Sequence, residues 1–354
     1  MSGPVSLGIV NYNGRTYLPD TLEAVRRAAP GADVMLVDNG SDDGSVALAR
    51  AQLPGLRVFE LGENRGPGAA RNVAVREAAH DRVLLLDNDV EPQSGCIEAL
   101  AEALDAHPCA VAAMPAVLYA RAPETVQYAG AEAHFMGVSA PLASDTAAAL
   151  LEPSVRVVGT AITCCMLVDR ARLGSGPWFD ERLFFHFEDH EFGLRLSLAG
   201  FDVIVVPAAR CLHGAGTAGL SLRETGRFTP TRIRYTIRNR WVTMLMLYQK
   251  RTLLRFAPAL LAFEIVQLVG AAAKGWVGHW VWAGASAVSL IPYALRRRAS
   301  FRRIRRRADL EVLVGGPFPY NPAMQRTPLE HAARRFLDRM IALNWRLAGG
   351  RRPA

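Results

Sequence analysis

Val83-Leu84-Leu85-Leu86-Asp87-Asn88-Asp89 is an apolar run that stops abruptly at two acids. Four consecutive apolar residues without alternation read as a parallel strand buried on both faces. Asp87 and Asp89 then fall at its carboxyl end, the edge at which open α/β sheets take their ligands. Two carboxylates two residues apart in extended chain can face one crevice, and hard oxygen ligands of this kind suit Mg²⁺ or Mn²⁺ carrying substrate phosphates. By itself an Asp-x-Asp triplet also fits a solvated turn after a strand, so its surroundings decide.

Upstream, one theme occurs three times: a short apolar strand, a polar turn rich in Gly, Asn and Asp, then a helical stretch. Val5 to Val10 runs into Asn11-Tyr12-Asn13-Gly14, Val34 to Val37 into Asp38 through Ser45, and Arg57 to Leu61 into Glu63 through Gly68, followed by the helix-favouring Ala69 to Ala79. This is the grammar of a parallel sheet with crossover helices. All three turns are expected to open on the edge that carries Asp87. A nucleotide fits across them, with Asp38 accepting from base or ribose and the backbone N–H groups near Gly66 and Gly68 close to phosphate.

Asn11-Tyr12-Asn13, Asp38 to Ser45, Asn64-Arg65-Gly66 with Ala70-Arg71-Asn72, Asp87-Asn88-Asp89, and Phe187-Glu188-Asp189 through Gly200 resemble, in order, the motifs of family 2 glycosyltransferases, with the bacterial rhamnosyltransferase-like members nearest. The likeness covers roughly residues 4 to 245. It implies a GT-A fold (a Rossmann-like mixed, mostly parallel sheet with helices on both faces), an inverting mechanism, a UDP- or dTDP-linked sugar donor and a divalent metal. By the same resemblance Asn11, Tyr12, Asn13, Asp38, Asn64, Gly66, Arg71, Asp87 and Asn88 serve the donor, Asp38 touching the nucleoside and Asp87 the nucleotide. Asp89 then holds the metal, Asp189 is the catalytic base and Glu188 stands beside it. Pro67 and Glu191 depart from the family pattern, which often has an aromatic residue at the first position and Asp at the second.

The second acidic cluster also has a reading of its own. Phe192, Leu196 and Ala199 recur at helical spacing and Gly200 is placed as a C-terminal stop, so a helix begins near Glu188 or Asp189. A carboxylate at a helix N-terminus is stabilised in its charged form and is available as a base; two acids merely capping the helix are the plainer alternative. His213 follows the expected strand Asp202 to Val206 by a short loop and precedes Gly214-Ala215-Gly216, a stretch able to fold over a diphosphate. The resemblance makes it a metal ligand. His186 and His190 flank the acids and are expected to line the acceptor cleft, where Trp178 or Phe179 would stack on a sugar face, core packing being the readier use of at least one of the two.

At 354 residues and 50% hydrophobic composition, the chain suits one sizeable catalytic domain, residues 1–250, with an appendage. Five cysteines without a Cys-x-x-Cys argue against a disulfide framework or a zinc site and for a reducing compartment. The first apolar run is too short for a secretory signal. Eight arginines and no acids lie in Arg296 to Arg307, and removing them leaves 33 bases against 33 acids. Before them come two apolar stretches, Leu253 to Ala273 and Gly275 to Leu295, separated by Lys274. The second lacks any Asp, Glu, Lys or Arg and is long enough to cross a bilayer, whereas the first contains Glu264 and Gln267 and is marginal.

Residues 251–295 therefore read as a membrane-associated hairpin, spanning or interfacial, and 296–354 as a basic segment with an amphipathic helix. Packing on a second subunit is the soluble alternative. An arginine run beside apolar helices with no recognition module favours an anionic membrane surface over nucleic acid. Thr327-Pro328-Leu329-Glu330 forms a capping box, after which Leu329, Ala333, Phe336, Met340, Leu343 and Leu347 make one stripe expected to pack. The combined expectation is a glycosyltransferase at the cytoplasmic face of the cell membrane, acting on a glycan or lipid-linked acceptor in envelope polysaccharide assembly. The competing readings are a nucleotidyltransferase and a catalytically silent membrane scaffold.

Overall fold

The computed structural model describes residues 3–176, 178–214, 216, 229–320 and 327–350. Its first half is the strand-turn-helix theme made solid: β1 (Val5–Asn11), α1 (Leu18–Ala28), β2 (Asp33–Asp38), α2 (Ser45–Gln52), β3 (Arg57–Glu60), α3 (Pro67–Glu77) and β4 (Arg82–Asp87). The four strands are parallel in the order β4-β1-β2-β3, and their register sets Asn11 beside Asp38 and Val10 beside Asp87. The expected turns thus share one edge. Leu7, Ile9, Leu84 and Leu86 pack on one face and Met35, Val37, Val83 and Leu85 on the other, as uninterrupted apolar strands require. Gly8 lets α3 approach, because a Cβ there would lie 2.5 Å from that of Ala74.

The sheet then becomes mixed through β5 (Val90–Pro92), α4 (Cys96–Ala106), β6 (Ala110–Tyr119), β7 (Ala122–Tyr128), β8 (Ala131–His134), β9 (Val138–Pro141), β10 (Arg156–Val158), β11 (Cys165–Asp169), α5 (Arg170–Leu173), α6 (Glu188–Ala199) and β12 (Asp202–His213). Its ten strands run β10-β12-β6-β11-β4-β1-β2-β3, with β5 on β12 and β7 on β6. This is the GT-A type of α/β fold. The helix expected near Glu188 starts at that residue and ends on Gly200, a left-handed C-cap with φ of 97°. One expectation changes. The strand predicted to end at Val206 runs on to His213, because a register shift between Val206 and Arg210 passes Pro207 and the strand then pairs again with β6 and β5.

The remainder is α7 (Pro230–Leu247), α8 (Lys250–Ala273), α9 (Val277–Ser289), α10 (Ile291–Ile304), α11 (Asp309–Val312), β13 (Leu313–Val314) and α12 (Pro328–Leu347). It is stitched to the catalytic part, since β13 joins β8 in a small sheet and the rings of Phe135, Phe256 and Trp345 meet at centroid distances of 4.4 to 5.6 Å.

Three expectations are corrected here. Gly275 to Leu295 is not one long helix: α9 stops at Ser289 and α10 restarts at Ile291, where Pro292 cannot donate to the preceding turn and is tolerated only at a helix start. The helix long and apolar enough to cross a membrane, among the described residues, is instead α8, with a mean hydropathy of 1.8. Its Glu264 is bound to Arg240 and Trp241. The arginine run is only partly free: Arg297 pairs with Asp180, Arg298 donates to the Leu245 carbonyl, and Arg305 and Arg307 pair with Asp309 and Asp202. Finally, α12 has its capping box at Thr327 and Glu330, but the face it buries is Leu337, Ile341 and Trp345, while Phe336, Leu343 and Leu347 are exposed. The aromatic cluster with Phe135 and Phe256 draws in Trp345 and turns the predicted stripe outward. The Leu329 side chain lies outside the described residues.

Candidate active site

The sheet edge is organised by a buried amide and carboxylate chain. Asn88 Nδ2 donates to Asn11 Oδ1 at 2.9 Å, and Asn11 Nδ2 donates to Asp38 Oδ1 at 2.7 Å and to Ser45 Oγ at 2.9 Å. Asp38 Oδ2 accepts from the Ser41 amide at 2.9 Å. Both oxygens of the buried Asp38 are therefore engaged in shaping the β2–α2 turn, at the edge where the nucleoside is expected. Asn13, at φ of 49°, continues the turn by accepting from the Asp42 amide at 3.0 Å. Tyr12 and Asn13 stand half-exposed at this edge, and Asn64 Oδ1 accepts from the Gly66 amide at 3.0 Å. Gly66 has φ of 85° and lies so near the Phe184 carbonyl that a Cβ would come within 1.9 Å of its oxygen. The start of α3 is thereby pressed against the loop that leads into α6.

Arg71 joins the two acidic clusters. Only 4% exposed, it contacts Glu188 at 2.9 Å, Asp87 at 2.8 Å and the Thr163 carbonyl at 2.7 Å. It was expected at the donor, and these partners hold it between the two acidic clusters. Burial pushes Asp87 up to about 6, against the pull of Arg71. Burial and the neighbouring Asp189 push Glu188 up to about 7. The partners of the two catalytic candidates differ. Glu188 is buried on Arg71, and its Oε2 has no hydrogen-bond partner. Asp189 is half-buried: Oδ1 accepts from the His190 amide at 2.7 Å, Oδ2 from the Thr163 amide at 3.3 Å, and burial holds its carboxyl above the ordinary range. Asp189 is thus the acid of the pair with an open side. Glu191 is spent within the helix on Arg195, at 2.7 Å.

Asp87, Asp89 and His213 each offer a ligand atom within 4.8 Å of the others. The register of β4, β5 and β12 brings them together, with Val90 opposite His213. His213 Nε2 lies 3.5 Å from Asp89 Oδ1, while Nδ1 meets Gln127 Oε1 at 2.7 Å and fixes the ring. Two carboxylates and an imidazole form a donor set suited to a divalent cation. Burial opposes charge on His213, but Cys164 and Asp89 outweigh it and raise the imidazole to about 9.

A feature the sequence reading missed lies just ahead of Asp189. Phe184, His186 and Phe187 all have positive φ, of 61°, 65° and 78°. Such conformations cost on the order of 1–3 kcal/mol each and persist only where neighbours enforce them. Asn239 Nδ2 donates to the carbonyls of Leu183, Phe185 and His186, and Arg238 Nη2 to those of Arg182 and Leu183, at 2.6 to 3.0 Å. The signal was three successive polar residues, Arg238-Asn239-Arg240, inside an otherwise apolar helix, all 6% exposed or less.

Residues 6–145 match the profile of glycosyl transferase family 2. Over that stretch the chain is similar to that family. The chain is 33% identical over 201 residues to the N-acetylglucosaminyl-diphospho-decaprenol L-rhamnosyltransferase of Mycobacterium tuberculosis, an alignment covering 51% of this chain and 66% of that relative, just under two thirds. Among solved structures, GalNAc-T7 with UDP, GalNAc and Mn²⁺ superposes with a TM-score of 0.57 at 15% identity, covering 73% of this chain and 51% of that one. Staphylococcus aureus TarS 1–349 in complex with UDP-GlcNAc gives 0.51 at 17% identity, over 85% and 90%. These two likenesses establish the fold.

Of the remaining candidate residues, His190 is placed differently from expectation. His190 is 2% exposed, bonded through Nδ1 to Ser139 Oγ at 2.9 Å, and kept neutral by burial, its pKa lowered to about 3; it faces the interior and not an acceptor cleft. Trp178 turns its Nε1 to the Gly174 carbonyl at 3.0 Å and packs on Gly176. Phe179 stacks on Phe192 in the core. Of the stretch 214–216, residue 215 lies outside the described residues.

Proposed function

We propose that the chain is an inverting glycosyltransferase that moves a hexosyl or deoxyhexosyl group, L-rhamnose first among the candidates, from a UDP- or dTDP-linked donor to a lipid-linked acceptor. The supporting observation is the rigid chain Asp189–Thr163–Arg71–Asp87, which fixes the open base relative to the Asp87, Asp89 and His213 group. The donor lies along the Asn11 to Asn13 and Asn64 to Gly66 edge, with its diphosphate toward Asp87 and Asp89. Asp189 takes the proton of the acceptor hydroxyl as that oxygen attacks the anomeric carbon from the face opposite the leaving group. The new C–O bond forms while the bond to the diphosphate breaks, and the electron pair leaves with the nucleoside diphosphate. When bound, Mn²⁺ or Mg²⁺ supplies charge stabilisation to that leaving group.

The acceptor class rests on the mycobacterial relative, whose name specifies a polyprenol-linked substrate. With such an acceptor goes our reading of the enzyme as acting at the cytoplasmic face of the cell membrane, in envelope polysaccharide assembly. The test is release of UDP or dTDP across a panel of nucleotide sugars, with Mn²⁺ or with a chelator. Metal-dependent release from one donor, stimulated by a polyprenyl-diphosphate sugar, is expected. Pyrophosphate release from a nucleoside triphosphate and a sugar phosphate would instead identify a nucleotidyltransferase, and no turnover of any kind would leave a scaffold.

A further inference from the structure

We propose that α8, α9 and α12 form a one-sided platform that docks on an anionic bilayer, with α8 lying in the interface and not across it. The proposal rests on the membrane placement above and goes further, to the surface and the mode of binding. α8 is 24 residues long and fastened to the protein along its whole length. Near its start Asn344 Nδ2 donates to the Arg255 carbonyl at 3.0 Å and Asn344 Oδ1 accepts from the Ala259 amide at 3.2 Å. In its middle Glu264 takes Trp241 Nε1 at 2.7 Å and pairs with Arg240, and just beyond its end Lys274 pairs with Glu330. Phe256, Ala259 and Phe263 are buried on that side. A spanning helix must instead meet lipid around most of its circumference over the roughly 30 Å of hydrocarbon.

The other side of α8 carries an uninterrupted stripe of exposed apolar residues, Leu254, Leu261, Ile265 and Leu268, at spacings of seven, four and three. The neighbouring helices leave similar stripes: Val277, Val281 and Val288 on α9, and Phe336, Leu343 and Leu347 on α12. Scattered exposed apolar residues need no explanation, but stripes on three adjoining helices do. Charge identifies what covers them. Among the described residues 250–350, the exposed acid is Glu311, while exposed bases include Lys250, Arg251, Arg296, Arg302, Arg303 and Arg306. Exposed apolar stripes in a segment whose exposed charges are almost all basic match the interfacial zone of an anionic leaflet.

The full-length protein is mixed with vesicles of phosphatidylcholine alone or with added phosphatidylglycerol, and the bound fraction is read by flotation. Wild type should bind the anionic vesicles more tightly. The pair Leu261→Gln and Ile265→Gln should lower that affinity by at least about tenfold, since each removes apolar area from the interface. Arg302→Gln with Arg303→Gln should erase the preference for anionic lipid. Because Leu261 and Ile265 touch no part of the site, nucleotide release on a water-soluble acceptor should be unchanged, and vesicle binding is read whether or not the enzymatic reading holds.

Topology is read from Arg251→Cys and Ala273→Cys, each in a Cys109→Ser background because Cys109 is exposed. On bound vesicles both should react with a membrane-impermeant maleimide, since both ends of α8 stay on one side. Protection of one end until detergent is added would show a spanning helix and overturn the proposal. Equal binding by the stripe variants, or a lipid-free dimer that the stripe variants dissociate, would overturn it too.

Discussion

Residues 5–213 bury polar side chains, whereas residues 250–347 leave apolar ones in the open. In the first region Asn11, Asp38, Arg71 and Asn88 are 4% exposed or less and bonded to one another or to fixed backbone groups. In the second, Leu254 is 76% exposed and Leu347 is 78% exposed. Both choices run against what stability alone favours. A buried ionic network costs desolvation but holds two acidic groups at a fixed separation, and an uncovered apolar face costs hydration but is ready for a partner. On the proposals above, catalysis and attachment divide between the two regions, and α7, the helix that joins them, contacts both: Asn239 clamps the loop before Asp189 and Arg240 holds Glu264 of α8.

Variants can break or sharpen that contrast. Asp89→Ala should have the largest effect, since a catalytic cation is worth several kcal/mol and each 1.36 kcal/mol is tenfold in rate; turnover should fall by at least about 10²-fold. Calorimetric titration with Mn²⁺ should show the matching loss of binding, and unchanged metal affinity would remove Asp89 from the ligand set. Arg71→Met leaves the half-buried Asp87 and the buried Glu188 without their cation and should destabilise the fold by about 3–5 kcal/mol in urea unfolding. A loss of under about 1 kcal/mol would mean that the bridge does not organise the site.

Asn239→Ala should cost about 1–3 kcal/mol, because it strips three carbonyls of a buried donor. It should lower turnover while sparing donor affinity, since the loop it holds carries the base and not the nucleotide; equal losses in both would indicate general disorder. At the small end, Ile265→Gln should change stability by no more than about 0.5 kcal/mol, as expected for an exposed position. Phe256→Ala, on the opposite face of the same helix, should cost about 3–5 kcal/mol. Similar values for the two would show that α8 has no outward face.

Wherever one local signal sufficed, the sequence was readable. Apolar runs closed by Asn, Asp or Gly marked β1, β2 and β4, the 192–196–199 spacing with Gly200 delimited α6, and the two acids with His213 came together as a group of potential ligands. What stayed illegible was decided by distant partners. Nothing near Arg71 reveals that Glu188, 117 positions away, will claim it. The burial of His190 depends on Ser139 and Thr160, and the outward turn of the α12 stripe depends on Phe135 and Phe256. The break at Leu290 was written locally in Pro292, but the uninterrupted apolar composition around it read as a single span.

The central claim is that Asp189, the half-open acid at the start of α6, takes the acceptor proton. Asp189→Asn keeps the size and much of the polarity of the side chain and can still accept from the Thr163 amide, but cannot serve as a base. The decisive measurement is donor affinity by calorimetry alongside nucleoside-diphosphate release in the same preparation. The account predicts affinity within about threefold of wild type and turnover lower by about 10² to 10⁴. Turnover above about a tenth of wild type, or donor binding lost in step with activity, would contradict it.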